Sequence, residues 1–288
     1  MPRSTPTSRH GRRLAITLVV VAIVGVAAFV GLHKLTSTIH GLIPQPEDCT
    51  ASVGGHDATL DPEQAENAAL ITALAVRRGL PAHAATIALA TAMQESKLYN
   101  LEGGDRDSLG LFQQRPSQGW GTRAQVLDPV HATDAFYDAL VKIADYQKLD
   151  VTVAAQKVQH SAYPEAYAQH EADARALASS LSGYSPHAFS CRFDDPDPGS
   201  GHPAALHKEV GSLFSGIVDE PVVRGSSATI GVPASTAGWA VAHYVVAEAQ
   251  RLGIRKVAFA GWTWSTGKDG DWKHTGNGSG REVTITFA

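Results

Sequence analysis

An uncharged apolar run near the N-terminus limits what this chain can fold into. The run extends over the 19 residues from Leu14 to Leu32, which is long enough for a helix to cross a hydrocarbon core of about 30 Å. Four arginines precede it, and this excess of basic residues favours a cytoplasmic N-terminus. We therefore predict a single-pass protein of the cell membrane, with a cytoplasmic segment over 1–13, a transmembrane helix over 14–32 and all later residues outside.

A cleaved signal peptide is the alternative interpretation of this run. The apolar part of such a peptide normally has about 7–15 residues and ends at a small-x-small site. Here the run is longer, and the candidate site, Gly25-Val26-Ala27, lies inside it. An uncleaved signal anchor is the interpretation we favour.

The charge is unevenly distributed along the chain. The whole chain carries −4, whereas residues 1–40 hold five basic residues and no acid, which leaves −9 for the remainder. Nucleic-acid binding depends on lysines and arginines that neutralise phosphates. An acidic main body therefore excludes nucleic acid as an expected partner.

The chain has two cysteines, Cys49 and Cys191. In the predicted topology both lie outside the membrane, where an oxidising compartment favours disulfides. We predict that they pair and close a long loop, with two unrelated thiols as the alternative.

The sequence after the apolar run divides by composition. Asp61-Pro62-Glu63-Gln64 has the residues of a helix start, and further helical patterns follow. Near the C-terminus, Ser235–Leu252 has helical spacing, and 256–264 and 282–287 have strand-like patterns. The predicted fold class is mainly α, in four parts: a tether over 33–59, an all-helical domain over 60–190, a linker over 191–202 and a small α+β domain over 203–288.

Glu95 is the candidate catalytic residue. It lies at the end of an Ala-rich helical pattern, just before a glycine-rich loop. A half-buried carboxyl at such a place can keep a proton, which a general acid for glycoside cleavage needs. The alternative is a helix-end carboxylate that forms a cap or an ion pair.

The surrounding motifs resemble those of a known family. Glu95-Ser96, followed by Gly110-Leu111-Phe112-Gln113 and then Pro116, is similar to the Glu-Ser and Gly-Leu-Met-Gln elements of lytic transglycosylases and goose-type lysozymes, over roughly residues 64–180. The resemblance implies a lysozyme-like helical fold, peptidoglycan glycan strands as substrate and Glu95 as the catalytic acid. It also implies that Gln113 lines the sugar cleft.

Family members place a tyrosine beside the glutamate, usually within Ala-Tyr-Asn. Here Ala162-Tyr163 precedes Pro164 instead of Asn, and the resemblance transfers the role to Tyr163. Three aromatic residues flank the loop: Tyr99, Phe112 and Trp120. They could stack on sugar rings or belong to the core. The predicted substrate-binding residues are Gln113, Tyr163, Ser96 and Trp120.

A second carboxylate would decide the reaction type. Asp105 and Asp107, on the intervening loop, could hold the water that an inverting hydrolase needs. Without such a base, Glu95 can protonate the leaving oxygen and then accept the proton of the muramic acid 6-hydroxyl, which gives a 1,6-anhydro product. We favour this transglycosylase chemistry, with a muramidase as the alternative.

Other chemistries lack a sequence signature. There is no His-Glu-x-x-His element, paired Cys/His spacing or Gly-x-Ser-x-Gly elbow, so neither a metal nor any other cofactor is predicted. The segment around Gly238–Val257, with Trp262, Trp264 and Trp272, is similar to a small domain of actinobacterial wall-associated proteins. That domain is itself similar to zinc D-Ala-D-Ala peptidases, whose last strand carries a His-x-His pattern. Here the last strand, Glu282–Thr286, has no histidine. We therefore expect a non-catalytic wall- or partner-binding module, although the tryptophans could equally form a small core.

The predicted function is cleavage of peptidoglycan glycan strands by an anchored extracytoplasmic domain, without an identified protein partner. A catalytically silent wall-binding or scaffold protein that keeps the same fold is the competing hypothesis.

Overall fold

The computed structural model describes residues 46–160, 165–267, 269–276 and 278–288. Of these, Glu47–Ala288 form one compact unit. The predicted transmembrane helix over 14–32 lies outside the described residues. Within the part of the chain that is described, no helix is both long and apolar enough to cross a membrane.

Helices and strands alternate in several blocks along the unit. The helices are α1 Pro62–Arg77, α2 Ala82–Ser96, α3 Arg123–Val126, α4 Pro129–Leu140, α5 Val151–Gln159, α6 Glu171–Leu181, α7 Pro203–Leu213, α8 Ser235–Ala247 and α9 Ala249–Leu252. The strands are β1 Asp48–Val53, β2 His56–Leu60, β3 Phe189–Arg192, β4 Val222–Arg224, β5 Ser227–Gly231, β6 Ile254–Phe259, β7 Trp262–Ser265, β8 Lys273–His274 and β9 Glu282–Phe287.

The mainly-α prediction is wrong, because the described chain has an α+β fold with two antiparallel sheets. One sheet has the order β2-β1-β3 and the other the order β4-β5-β9-β6-β7-β8. The first sheet uses residues that we expected in the tether and at the start of the linker. Strand β1 buries Cys49 and Ala51 on one face and turns polar residues outward, a pattern in which small apolar side chains give little signal of a strand.

The predicted disulfide is confirmed. Cys49 and Cys191 face each other across β1 and β3 and form a bond that spans 142 residues of sequence. Both cysteines are fully buried. The bond therefore joins the first strand of the unit to the strand that follows the helices α1–α6.

The start of α1 confirms the predicted capping box. The side chain of Asp61 accepts a hydrogen bond from the backbone N–H of Gln64 at 3.0 Å, and the side chain of Gln64 accepts one from the N–H of Asp61 at 3.0 Å. Helix α2 packs against α1 and α6 through a surface of alanines, so the helix axes approach closely and α2 is almost entirely buried.

The six-stranded sheet and the helices share packing. Helix α8 lies against β6 on one side and against α1 and α6 on the other. The indole of Trp264 donates to the carbonyl of Cys191 at 2.9 Å, and that of Trp272 donates to the carbonyl of Phe189 at 2.8 Å. These two tryptophans are buried core residues that tie β7 and the loop before β8 to β3.

Candidate active site

Glu95 lies at the C-terminal end of α2, where the chain makes a tight left-handed turn. Lys97 and Leu98 have φ of 56° and 64°. The N–H of Lys97 donates to Met93 and that of Leu98 to Ala92, both at 3.1 Å, which satisfies two of the last carbonyls of the helix. The glutamate is therefore on the last turn of a rigid, buried helix.

The turn after Glu95 is held by side chains of α1 and its cap. Gln64 donates to the carbonyl of Lys97 at 2.9 Å, and Asn67 donates to that of Leu98 at 2.8 Å. The hydroxyl of Tyr99 donates to the carboxylate of Asp61. Because that hydroxyl binds the α1 cap, Tyr99 has a structural role in this turn.

The carboxylate of Glu95 contacts a tyrosine. The hydroxyl of Tyr167 donates to Glu95 Oε1 at 2.7 Å, and the Tyr167 side chain is fully buried. Among the described residues, no lysine or arginine forms an ion pair with Glu95. A half-buried carboxyl with a phenol donor and no paired cation is suited to proton transfer.

The segment that carries Tyr167 is attached to α2 at a second point. Gln94 Oε1 accepts hydrogen bonds from Gln169 Nε2 at 2.9 Å and from His170 Nε2 at 3.1 Å. The ring nitrogen of His170 is the donor in this contact, because the amide oxygen of Gln94 can only accept a hydrogen bond. Two adjacent residues of α2 thus hold the segment that precedes α6.

Tyr167 is the tyrosine that contacts Glu95, and the sequence resemblance did not single it out. Tyr163, the predicted tyrosine, lies outside the described residues, so its role stays a prediction. The dipeptide Ala-Tyr occurs twice, at 162–163 and at 166–167. The second copy is followed by Ala168 and also lacks the family asparagine. That repetition was the signal that could have suggested Tyr167.

Ser96 connects Glu95 to the Gly-Leu-Phe-Gln element. Its side chain is buried, and Oγ lies 2.7 Å from the carbonyl oxygen of Leu111 and 3.0 Å from that of Ala92. Gln159, at the end of α5, donates a hydrogen bond of 2.8 Å to the carbonyl of Phe112. Ser96 is thus placed to position the loop, and its role in binding substrate stays a prediction.

The Gly110–Gln113 turn is compact. Gly110 has φ of 74°, and a Cβ there would lie 2.5 Å from the carbonyl oxygen of Val126. Gln113, with φ of 47°, donates from Nε2 to the carbonyl of Gly110 at 3.2 Å, and its amide lies against Gly104. Gln113 is half-buried, and this turn holds its side chain on the loop that was predicted to line the sugar cleft.

The two candidate second carboxylates differ in environment. Asp107 accepts from the backbone N–H and the hydroxyl of Ser117 at 2.8 and 3.0 Å and from Arg115 Nε at 2.7 Å. These donors, the Ser117 N–H first, hold the pKa of Asp107 well below its usual range. Asp105 is exposed, with 92% side-chain accessibility.

Of the aromatic residues near the loop, Trp120 and Tyr99 are partly accessible, and the hydroxyl of Tyr99 is bound to Asp61. Phe112 is fully buried and stacks on Phe136 with 4.7 Å between ring centroids, so it belongs to the core. Trp120 packs against the core with part of its surface exposed.

The comparisons with known proteins add no family assignment. The chain matches no protein-family model and no curated protein. The geometry around Glu95 therefore carries the functional argument.

Proposed function

We propose that this chain cleaves the glycan strands of peptidoglycan as a lytic transglycosylase, with Glu95 as general acid and then general base. The observation that carries the proposal is the contact of Tyr167 with Glu95 at the end of α2. The resemblance places a tyrosine beside the catalytic glutamate, and this structure has one there although the sequence offers no Ala-Tyr-Asn.

The chemistry requires two proton transfers at one carboxyl. Glu95 first donates its proton to the glycosidic oxygen, and the bond from that oxygen to the anomeric carbon of muramic acid breaks. The Glu95 carboxylate then accepts the proton of the 6-hydroxyl as O6 bonds to the anomeric carbon. Glu95 returns to its protonated form, and the product has a 1,6-anhydro ring.

Tyr167 has a defined role in this cycle. A phenol that donates to Oε1 stabilises the carboxylate that exists between the two transfers. It also favours one rotamer of Glu95, since the tyrosine itself is fully buried.

The surroundings of the aspartates support the transglycosylase over the hydrolase. A carboxylate with a strongly lowered pKa is a weak base, and three donors already bind that of Asp107. Asp105 has no comparable support from buried neighbours, because its side chain is exposed. A single-carboxyl mechanism needs neither residue.

Product analysis tests the proposal. The purified full-length chain is incubated with purified peptidoglycan, and the soluble fragments are identified by mass spectrometry. We expect 1,6-anhydromuramic ends, each lighter by one water than a hydrolysis product. Reducing ends would instead identify a muramidase, and binding to the sacculus without any fragments would favour the silent scaffold.

A further inference from the structure

A cavity of about 350 Å³ lies away from Glu95, between α1 and α4 on one side and α7, α8 and α9 on the other. Leu70, Val130 and Leu213 form apolar parts of its wall, and Tyr244 adds an aromatic ring. Cavities of this size hold small organic molecules, which are usually oriented by a few polar groups.

Arg251 forms ion pairs with three carboxylates at this cavity, and its contact with Glu66 is the longest of them. Its Nη2 lies 2.6 Å from Glu209 Oε2 and 2.5 Å from Glu248 Oε2, and its other nitrogens donate to the same two residues at 2.9 and 3.0 Å. Glu66 Oε2 is 3.9 Å from Arg251 Nε, beyond hydrogen-bond distance. The guanidinium is committed to Glu209 and Glu248.

Glu66 is consequently the under-satisfied group of the cavity. Within the described residues, its carboxylate accepts no hydrogen bond, and its side chain is only 26% exposed. Burial raises its pKa, and the nearby charges of Glu63 and Glu209 act in the same direction, while Arg251 opposes them. A desolvated carboxylate beside apolar walls gains most from a charged donor.

We propose that this cavity binds a small organic ammonium ligand, with the ammonium group on Glu66 and an apolar body against Leu70, Val130 and Leu213. Lys208 also borders the cavity, but its side chain is exposed, so it can extend into water away from the ligand. The site is separate from Glu95 and does not depend on the proposed glycan cleavage.

A nearby contact provides a reporter of occupancy. Asn67 borders the cavity and donates to the carbonyl of Leu98, in the turn after Glu95. Amide signals of residues 66–70 and of Leu98 should therefore shift together when a ligand enters.

Three probes with the same alkyl body and different charge test the proposal on the full-length chain by NMR titration: n-hexylammonium, n-hexanol and n-hexanoate. We expect saturable shifts at the cavity with n-hexylammonium and affinities at least about tenfold lower for the other two. A factor of ten corresponds to about 1.4 kcal/mol. Equal binding of n-hexanol, or tighter binding of n-hexanoate, would overturn the proposal.

Three variants sharpen the test. Glu66→Gln should weaken n-hexylammonium at least about tenfold, whereas Glu102→Gln, which removes an exposed carboxylate outside the cavity, should leave it unchanged. Val130→Phe, which fills the cavity, should abolish binding. Shifts that do not saturate, or an affinity that survives both Glu66→Gln and Val130→Phe, would contradict the assignment.

Discussion

Glu95 and Tyr167 meet although 72 positions separate them in the sequence. Glu95 is held by the hydrogen-bonded turn at the end of α2. Tyr167 is held by its full burial and by the hydrogen bonds that Gln169 and His170 donate to Gln94. Glu95 and its hydrogen-bond donor are thus fixed from two elements, so the proposed proton transfer needs little reorganisation.

Removing the Tyr167 hydroxyl should slow catalysis without unfolding the chain. A hydrogen bond to a charged group contributes about 1.5–3 kcal/mol, so Tyr167→Phe should reduce kcat on peptidoglycan roughly 10- to 100-fold. Tyr184→Phe is the control, because that side chain is 64% exposed. An unchanged kcat in Tyr167→Phe would remove the tyrosine from the mechanism.

At the scale of elements, the loop beside the site is defined by backbone contacts. Ser96 binds the carbonyl of Leu111, Gln159 binds that of Phe112, and Gly110 lies against Val126. The Gly-Leu-Phe-Gln element therefore fits one position relative to Glu95, and its glycine is required by space and by its positive φ.

A methyl group at Gly110 should be poorly tolerated. With a positive φ and a carbonyl oxygen 2.5 Å from the new Cβ, we expect Gly110→Ala to lower the free energy of unfolding by at least about 2 kcal/mol in urea titrations. Gly103→Ala is the matched control, because no atom lies within 4 Å of the added Cβ. Equal stabilities of the two variants would contradict this account of the loop.

Local sequence signals predicted most of the helices, whereas features that depend on contacts between distant residues were missed. The Asp61 capping box, the apolar spacing of α8 and the strand patterns over 256–264 and 282–287 are all readable within a few residues. The first of these two patterns forms two strands, β6 and β7, separated by Ala260 and Gly261 with positive φ. Strand β1 pairs locally with β2 across the turn Gly54-Gly55 and also with β3, whose Cys191 lies 142 residues away. The pairing with β3 leaves no local signal in the sequence. Tyr167 was missed for the same reason, since only the folded chain shows that this copy of Ala-Tyr contacts Glu95.

At the scale of the whole molecule, the helices and the two sheets form one unit joined by specific contacts. The disulfide links β1 to β3, and the indoles of Trp264 and Trp272 bind carbonyls of β3. Strand β3, at the boundary between the predicted helical domain and the predicted linker, is thus bonded to elements from both halves of the chain.

The disulfide should contribute strongly to stability. Closing a loop of this length corresponds to roughly 4–5 kcal/mol in the loop-entropy treatment, so Cys49→Ala with Cys191→Ala should lower the free energy of unfolding by up to that amount. Urea titration of the wild type under reducing conditions should give the same loss. A loss below about 1 kcal/mol would contradict this role.

A buried carboxyl should make stability depend on pH. Burial raises the pKa of Glu248 to about 8 from an ordinary value of 4.5, with Arg251 acting against it. The folded state then keeps a proton that the unfolded state loses, so stability falls as pH rises from about 4.5 to 8. Urea titrations should show that this fall is smaller in Glu248→Gln, and parallel pH profiles of the two proteins would refute the assignment.

In the proposed mechanism, Glu95 moves the proton during glycan cleavage. The most direct test is the rate at which the full-length chain releases soluble fragments from purified peptidoglycan, measured for wild type, Glu95→Gln and the exposed-loop control Glu102→Gln. We predict that Glu95→Gln loses at least about 1000-fold in rate, since the amide cannot donate the required proton, and that Glu102→Gln retains the wild-type rate. A Glu95→Gln variant that cleaves at the wild-type rate would contradict the account.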